Sequence, residues 1–249
     1  IVSAFSYECG LVMGQLACEE KSNEITAIPK LLEMLDINGC IITIDAIGTQ
    51  KDIAKKIISK NANYILVVKE NQKSLYNDIK LYIDDIRKDA DVISSESYHK
   101  TVEKGHGRIE SRICVISEEI NWLHKKEEWA GIQGIGAIYC QIEENGKKSK
   151  QNHYFIYSCK GLSAKEILKH KRSHWSIENN LHWVLDMAFR EDESRARKDN
   201  SAENFNVLRQ IALNILKSEK SFKGSITDKQ FKCLLDSRYL DKIVNKWVC

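Results

Sequence analysis

Two short apolar runs, at 40–45 and 63–69, restrict the folds that this 249-residue chain can adopt. Continuous apolar runs of this length are typical of strands that are buried on both faces of a sheet. Helical patterns at 49–59 and 72–87 follow the two runs in turn, and a pair of strands turning at Cys9-Gly10 precedes them. This order predicts an α/β fold in which helices cover a mixed sheet.

The middle of the chain has a different pattern, which is typical of hairpins. Residues 95–117 and 134–158 are rich in tyrosine, valine, isoleucine and cysteine, and turn sequences occur at 105–107 and at Asn145-Gly146. A helical pattern resumes at Ser163. We therefore expect a β-rich insertion at about 94–160, between the first apolar run and the helical region that follows.

Composition narrows the class of protein. The apolar and charged fractions are those of soluble globular proteins, and no run approaches the ~18 apolar residues of a membrane span. The chain lacks a signal-peptide pattern and Cys-x-x-Cys pairs, so we expect a cytoplasmic protein without a zinc ribbon.

Because residue 1 is Ile1 rather than methionine, we expect the chain to be a fragment of a longer protein. The net charge of +3 is too small to indicate a binding partner, so partners must be inferred from local clusters of charged residues.

Asp45 ends the first apolar run, and two roles are open to it. It precedes a helical segment that begins near Thr49, and an aspartate in such a place ordinarily caps the helix. Ligands of open α/β sheets, however, bind at the carboxyl ends of strands, where Asp45 is expected to lie. A second carboxylate converging there would give a site for Mg²⁺, which prefers oxygen ligands.

Glu178 lies in a second acidic context, within a predicted helix over 172–189. At 100° per residue, one stripe of this helix forms the apolar face: Ile177, Leu181, Val184 and Ala188. His174, Glu178 and His182 form an adjoining stripe beside Leu185, which places Glu178 at the shoulder of the buried face. A hydrogen-bonded surface glutamate is the ordinary interpretation. A zinc site of the His-Glu-His type is an alternative, although the His-Glu-x-x-His pair is absent.

Several segments also match, in sequence and in order, those of one known family. They are Val-Ser-Ala-Phe (2–5), Glu-Lys-Ser-Asn-Glu-Ile (20–25), Ile-Asp-Ala-Ile-Gly-Thr-Gln (44–50), Val-Lys-Glu-Asn-Gln (68–72), Gly-His-Gly-Arg-Ile-Glu (105–110), Arg-Ser-His-Trp-Ser-Ile-Glu-Asn-Asn-Leu-His-Trp-Val-Leu-Asp (172–186) and Phe-Arg-Glu-Asp (189–192). From residue 1 to about 217, the chain resembles the DDE transposases of bacterial insertion sequences, in the group that includes the H-repeat-associated proteins.

This resemblance implies a ribonuclease-H-like fold with a β-strand insertion before the last catalytic helix. It implies a catalytic domain at 1–217 and a helical extension at 218–249. Asp45 matches the family's second catalytic aspartate and Glu178 its catalytic glutamate. The first family aspartate belongs to an Asp-Gly-Lys sequence, which this chain lacks. We therefore expect the chain to be inactive by itself and poorly soluble or marginally stable, because the strand that bears this sequence is central in such sheets.

The resemblance further implies two Mg²⁺ ions held by Asp45 and Glu178, with Mn²⁺ as a substitute, and cleavage and transfer of DNA strands. The implied partner is double-stranded DNA, at transposon ends and target, with a homo-oligomer in the complex and the bacterial nucleoid as the place of action. His174 and Leu185 replace the Arg and Lys of the Tyr-Arg-Glu-Lys signature of related transposases. The alternative function is that of a non-catalytic DNA-binding relic.

Polar and basic residues near these motifs are candidates for DNA contact. The candidates are Lys69, Asn71, Arg108, Arg172, His174, Arg195 and Arg197, and Lys171 is a further basic residue of the same region. Charge runs ordinarily form solvated faces, and the turn that precedes Arg108 is equally well a plain hairpin turn. Trp175 and Trp183 are open to two interpretations, stacking on a flipped base or packing between helices.

Overall fold

The structure, a computed structural model, describes residues 1–17, 24–88, 97–105, 107–196 and 198–248, without the side chains of the last two. In chain order the strands and helices are β1 (Val2–Ser6), β2 (Leu11–Leu16), α1 (Glu24–Met34), β3 (Ile41–Ile44), α2 (Lys51–Ser59), β4 (Asn63–Val68), α3 (Lys73–Ile86), β5 (Tyr98–Gly105), β6 (Arg108–Ser117), β7 (Gly134–Glu144), β8 (Lys147–Tyr157), α4 (Ala164–His174), α5 (Trp183–Phe189), α6 (Ser201–Ser218), α7 (Ile226–Leu235) and α8 (Ser237–Val248).

The chain divides into two compact units. The larger unit is Glu24–His174, and the smaller unit joins Ile1–Asn23 with Trp175–Cys249. Within the described ranges, no helix combines the length and the apolar character that crossing a membrane requires.

The larger unit is built on a six-stranded sheet in the order β3-β4-β8-β7-β6-β5. Strands β3 and β4 are parallel, and every other neighbouring pair is antiparallel. The predicted α/β class, the mixed sheet and the β-rich insertion are therefore confirmed. The four strands of the insertion continue the sheet of the two apolar runs, since β8 pairs with β4. The predicted start of the insertion, residue 94, lies outside the described residues.

Helices on both faces of this sheet explain the continuous apolar runs. Phe155 is buried in a core cluster that includes Ile167 and Leu168 of α4. Its neighbour on β8, Tyr154, donates a hydrogen bond to Asp84 of α3. Because successive side chains of a strand point to opposite faces, α4 and α3 cover opposite faces of the sheet. Central strands therefore need apolar residues at successive positions rather than at alternate ones.

The two hairpins of the insertion extend past the end of β4. Val68, the last residue of β4, pairs with Tyr154, which leaves 147–153 of β8 beyond that end. At roughly 3.4 Å per residue, this overhang is about 24 Å long. The turn at its tip is Asn145-Gly146, where both residues have positive φ, 49° and 75°. That conformation matches the twist of the flanking strands and accounts for the Asn-Gly sequence.

The smaller unit packs a hairpin of β1 and β2 against helices. Its core cluster contains Val12 of β2, Leu181, Leu185 and Leu213. The side chain of Asn214 on α6 bonds to both backbone polar groups of Val12, at 2.9 and 2.8 Å. These two side-chain hydrogen bonds hold the β1–β2 hairpin against α6.

The region of Glu178 is not the straight helix that the 100° periodicity predicts. Helix α4 ends at His174, a π turn spans Glu178–His182, and α5 starts at Trp183. The wider π turn rotates the residues that follow it relative to those before it. Glu178 is therefore exposed rather than half-buried at the shoulder, while Leu185, predicted beside the polar stripe, is buried with Leu181. Such turns occur frequently at functional sites.

Candidate active site

Asp45 lies directly after β3 and begins a short 3-10 turn, Ala46–Gly48. It occupies the N-cap position, yet its side chain accepts no hydrogen bond from that turn. About 72% of the side chain is exposed. Asp45 therefore does not cap the turn with its side chain, which was one of the two roles considered from the sequence. Its carboxylate faces outward at the carboxyl end of the strand.

His174, at the end of α4, orients this carboxylate. Its Nε2 lies 3.2 Å from Oδ1 of Asp45, and its Nδ1 lies 3.0 Å from Oγ1 of Thr43. Thr43 precedes Asp45 by two positions along the chain, so a strand-like backbone directs both side chains to one face. The neutral tautomer with the proton on Nε2 satisfies both contacts, because Nε2 then donates to Asp45 and Nδ1 accepts from the Thr43 hydroxyl.

Asp45 is an ionised carboxylate at neutral pH. The hydrogen bond from His174 lowers the pKa of Asp45 below its usual value, although partial burial opposes the shift. The positive charges of Lys171 and Lys69 also lower this pKa. An ionised carboxylate that makes no capping bond is chemically suited to attract a cation.

Three more side chains lie near Asp45 and His174 and complete what we call the Asp45 cluster: Asp45, His174, Lys171, Lys69 and His153. Lys171 is only 2% exposed, one turn before His174 on α4. Burial lowers the pKa of Lys171 to about 8; the charge of Asp45 opposes this shift and that of Lys69 adds to it. Burial also lowers the pKa of His153 on β8, and the charges of Lys171 and Lys69 lower it further. The cluster is thus one acid among basic groups.

A cavity of about 700 Å³ lies at the same edge of the sheet. Its lining includes Ala46, Lys69, Tyr76 and His153, so it adjoins the Asp45 cluster. Asn71, also part of the lining, donates a hydrogen bond of 2.7 Å from Nδ2 to the carbonyl of Ala46. This bond joins the loop after β4 to the turn that Asp45 begins. The structure therefore gives Asn71 a partner within the protein, where the sequence offered only contact with DNA.

The other predicted DNA-contact residues of the larger unit lie elsewhere. Arg172 pairs with Glu103 of β5 through two hydrogen bonds, at 2.6 and 2.9 Å. Arg108 begins β6 at the tip of its hairpin, 3.6 Å from Glu110. The β6 residue level with the end of β4 is Val115, so Arg108 lies seven residues, or about 24 Å, further along the sheet. The structure does not bring Arg108 to Asp45.

Three predicted residues belong to the rest of the chain. Glu178 is exposed at the first position of the π turn in the smaller unit. Arg195 is exposed in the segment between α5 and α6. Arg197 lies outside the described residues.

Asp45 could bind a metal ion only together with further ligands from elsewhere. Among the described residues, no group of three or more His, Cys, Asp or Glu side chains is placed to hold a metal. Asp45 alone supplies fewer oxygens than Mg²⁺ or Mn²⁺ requires from a protein and its substrate. The zinc alternative gains no support either, because both ring nitrogens of His174 face Asp45 and Thr43.

Sequence reasoning missed two members of this site, Thr43 and His153. Thr43 could have been found from its spacing, since it precedes Asp45 by two positions in a predicted strand. His153 had no such signal. Its place beside the end of β4 depends on the register between β8 and β4, in which Tyr154 pairs with Val68.

Comparison with known proteins gives one family. The family model described as "Transposase DDE domain" matches residues 1–215. "Putative transposase YncI" of Escherichia coli O157:H7 is 39% identical over 98% of the chain and 63% of its own length. "H repeat-associated putative transposase YhhI" of Escherichia coli (strain K12) is 38% identical over 98% of the chain and 65% of its own length. The chain therefore spans a little less than two thirds of the length of these relatives.

Proposed function

Because this chain belongs to the transposase DDE domain family, we propose that it is the catalytic region of an enzyme that cleaves and joins DNA strands in the transposition of an insertion sequence. We further propose that the chain is inactive by itself, because it lacks the Asp-Gly-Lys sequence. The names of the two relatives support this class of activity. The single observation that carries the proposal is the state of Asp45: ionised, outside any capping bond, and held among basic groups at the carboxyl end of β3.

In this proposal Asp45 and Glu178 are the carboxylates that hold divalent ions, Mg²⁺ or Mn²⁺. Two such ions, when bound, activate the attacking oxygen and stabilise the leaving oxygen of a phosphodiester. The role of Glu178 rests on the resemblance of its surrounding sequence, whereas that of Asp45 is also supported by its own geometry. The metal requirement remains part of the proposal.

The chain's own residues prepare the carboxylate for this role. His174 donates to Asp45 and so restricts the direction in which its oxygens face. Thr43 selects the tautomer of His174 that can donate in this way. Asn71 holds the turn that follows Asp45. We therefore treat His174, Thr43 and Asn71 as positioning residues.

DNA is the proposed substrate, with transposon ends and target as double-stranded partners. Lys69 is exposed beside Asp45, where a cation would meet the backbone of a bound strand. Arg195 and Arg197 remain candidates in the segment between α5 and α6. The pairing of Arg172 with Glu103 favours a structural role for that arginine. A homo-oligomer in the DNA complex and action at the nucleoid also remain proposals.

A strand-cleavage assay tests the proposal. Wild type, Asp45→Asn and Glu178→Gln, each unextended or extended by a family Asp-Gly-Lys segment, are incubated with a plasmid carrying the ends of the element, with Mg²⁺, Mn²⁺ or a chelator. We expect no cleavage by the unextended chain, and metal-dependent cleavage by the extended wild type that both substitutions abolish. The matched controls, Asp52→Asn on α2 and Glu193→Gln, replace other exposed acids and should leave cleavage unchanged.

A second measurement separates metal binding from turnover. Mn²⁺ binding, followed by its paramagnetic resonance signal, should weaken in both substituted proteins and not in the controls. Full cleavage by Asp45→Asn would refute the site. DNA binding without any cleavage by the extended wild type would support the alternative, a DNA-binding relic.

A further inference from the structure

Lys171 is a buried lysine whose ammonium group has no hydrogen-bond acceptor among the described residues. Its side chain is only 2% exposed, among the most buried of the large side chains. Within the described part of the chain, no oxygen accepts a hydrogen bond from its Nζ. Nζ is not among the fully enclosed polar atoms that lack a partner, so it keeps a small contact with the surface. Burying a charged group in this way costs free energy unless another group compensates it.

Lys229 shows how this protein treats a buried lysine that has only a structural role. It is 7% exposed, and its Nζ donates to the carbonyls of Leu216 and Glu219, at 2.8 and 2.6 Å. Two acceptors from neighbouring backbone thus replace the water that the ammonium lost. Lys171 has a similar degree of burial without such acceptors, so its charge is available to a ligand.

The surroundings of Lys171 specify the charge of that ligand. Among the described residues, the charges of Asp45 and Lys69 shift the pKa of Lys171, and the charge of Lys171 shifts the pKa of His153. Asp45 supplies one negative charge, whereas Lys171 and Lys69 supply two positive ones. Because His153 has a lowered pKa, it is neutral at pH 7 and adds no charge. The cluster therefore has one unbalanced positive charge, which a singly charged anion would neutralise.

A phosphodiester fits these requirements. It carries one negative charge and has two non-bridging oxygens that accept hydrogen bonds from ammonium groups. We propose that Lys171, with Lys69 beside it, binds a phosphodiester group of the nucleic-acid strand next to Asp45. This inference rests on the proposed function, since it identifies the phosphate as that of DNA, and it assigns Lys171 the role of a substrate-binding residue.

The proposal predicts opposite effects of one substitution on stability and on binding. Lys171→Met keeps the length and volume of the side chain and removes a buried charge that lacks acceptors, so the variant should melt at a higher temperature than wild type. It should bind DNA less well. A lysine with a merely structural role would give a lower melting temperature instead.

Duplex binding tests the contact directly. Fluorescence anisotropy of a labelled DNA duplex is measured with a chelator present, over a series of salt concentrations. Each phosphate contact contributes about one unit to the slope of log affinity against log salt. We expect Lys171→Met to lower the slope by about one, and the control Lys169→Met, exposed on the same helix, to keep the wild-type slope. A wild-type slope for Lys171→Met with an intact fold would overturn the proposal.

The nitrogen resonance of the Lys171 ammonium separates the possible sources of phosphate. Addition of the duplex should shift this resonance, and addition of inorganic phosphate should shift it less. A shift by inorganic phosphate alone would overturn the phosphodiester assignment in favour of a free-phosphate site. If wild type and Lys171→Met bind the duplex alike, the inference fails and the proposed DNA function stands. If wild type binds no duplex, the proposed function fails as well.

Discussion

Nε2 of His174 lies 3.2 Å from Oδ1 of Asp45, and this contact joins the end of α4 to the end of β3. It uses a histidine at the position where related transposases have an arginine. A histidine can be held by a second partner through its other ring nitrogen, and here Thr43 fills that place at 3.0 Å. The carboxylate is thus oriented by a relay of two side chains rather than by the fork of a guanidinium.

Removing this relay should change the acidity of Asp45. In His174→Gln, the hydrogen bond that lowers the pKa of Asp45 is weakened or lost, so the pKa of Asp45 should rise. Because His174 orients the carboxylate that would hold the metal, its loss should also weaken the proposed metal binding by about 10- to 100-fold. Carboxyl carbon NMR of Asp45 across a pH series measures the first effect. His182→Gln, an exposed histidine, is the control, and an unchanged Asp45 titration in His174→Gln would contradict this prediction.

The bond between Asn71 and Ala46 should stabilise the loop that carries the site. Asn71→Ala leaves the carbonyl of Ala46 without this donor and should cost about 0.5–1.5 kcal/mol of unfolding free energy. Urea denaturation gives the free energy, and hydrogen exchange at residues 46–49 shows whether the loss is local. Asn38→Ala removes another exposed asparagine and should have little effect. Equal stabilities of the two variants would show that the bond contributes nothing.

The π turn at Glu178–His182 leads to a prediction about the smaller unit. Leu185 is 2% exposed in its core, so Leu185→Ala should cost about 2–5 kcal/mol. Met187, two positions away, is 64% exposed, and Met187→Ala should change stability by less than about 0.5 kcal/mol. Urea denaturation of both variants measures the difference. A near-neutral Leu185→Ala would contradict the burial of Leu185 in this core.

Acid should weaken the contact between β5 and α4. Hydrogen bonds from Arg172 and then Arg112 lower the pKa of Glu103 below its usual value. A carboxyl whose pKa is lower in the folded state stabilises that state above its unfolded pKa, and this contribution is lost as the pH falls through the folded pKa. Glu103→Gln should therefore flatten the acid side of the stability curve, measured by urea denaturation at several pH values. Glu127→Gln, another exposed glutamate, should retain the wild-type curve.

The sheet and its helices could be predicted from the sequence because their signals are local. Val67 and Val68 are buried members of an apolar run, and Asn145-Gly146 is a hairpin turn by its own backbone preferences. The break of the helix at Glu178 could not be predicted in this way. A π turn keeps the residue types of an α-helix and changes only their angular spacing, so a fixed period placed Glu178 at the shoulder of the buried face although it is exposed.

The sequence by itself determined the class of fold, the family, and the placement of Asp45 at a strand end, because apolar runs, turns and motif order are properties of neighbouring residues. Only the tertiary structure decided what surrounds Asp45. Thr43, Lys69, His153, Lys171 and His174 belong to segments that are up to 131 positions apart, and the register of β8 on β4 and the packing of α4 bring them together. The charge of Lys171 is evident from the sequence, whereas its burial without an acceptor among the described residues follows from that packing alone.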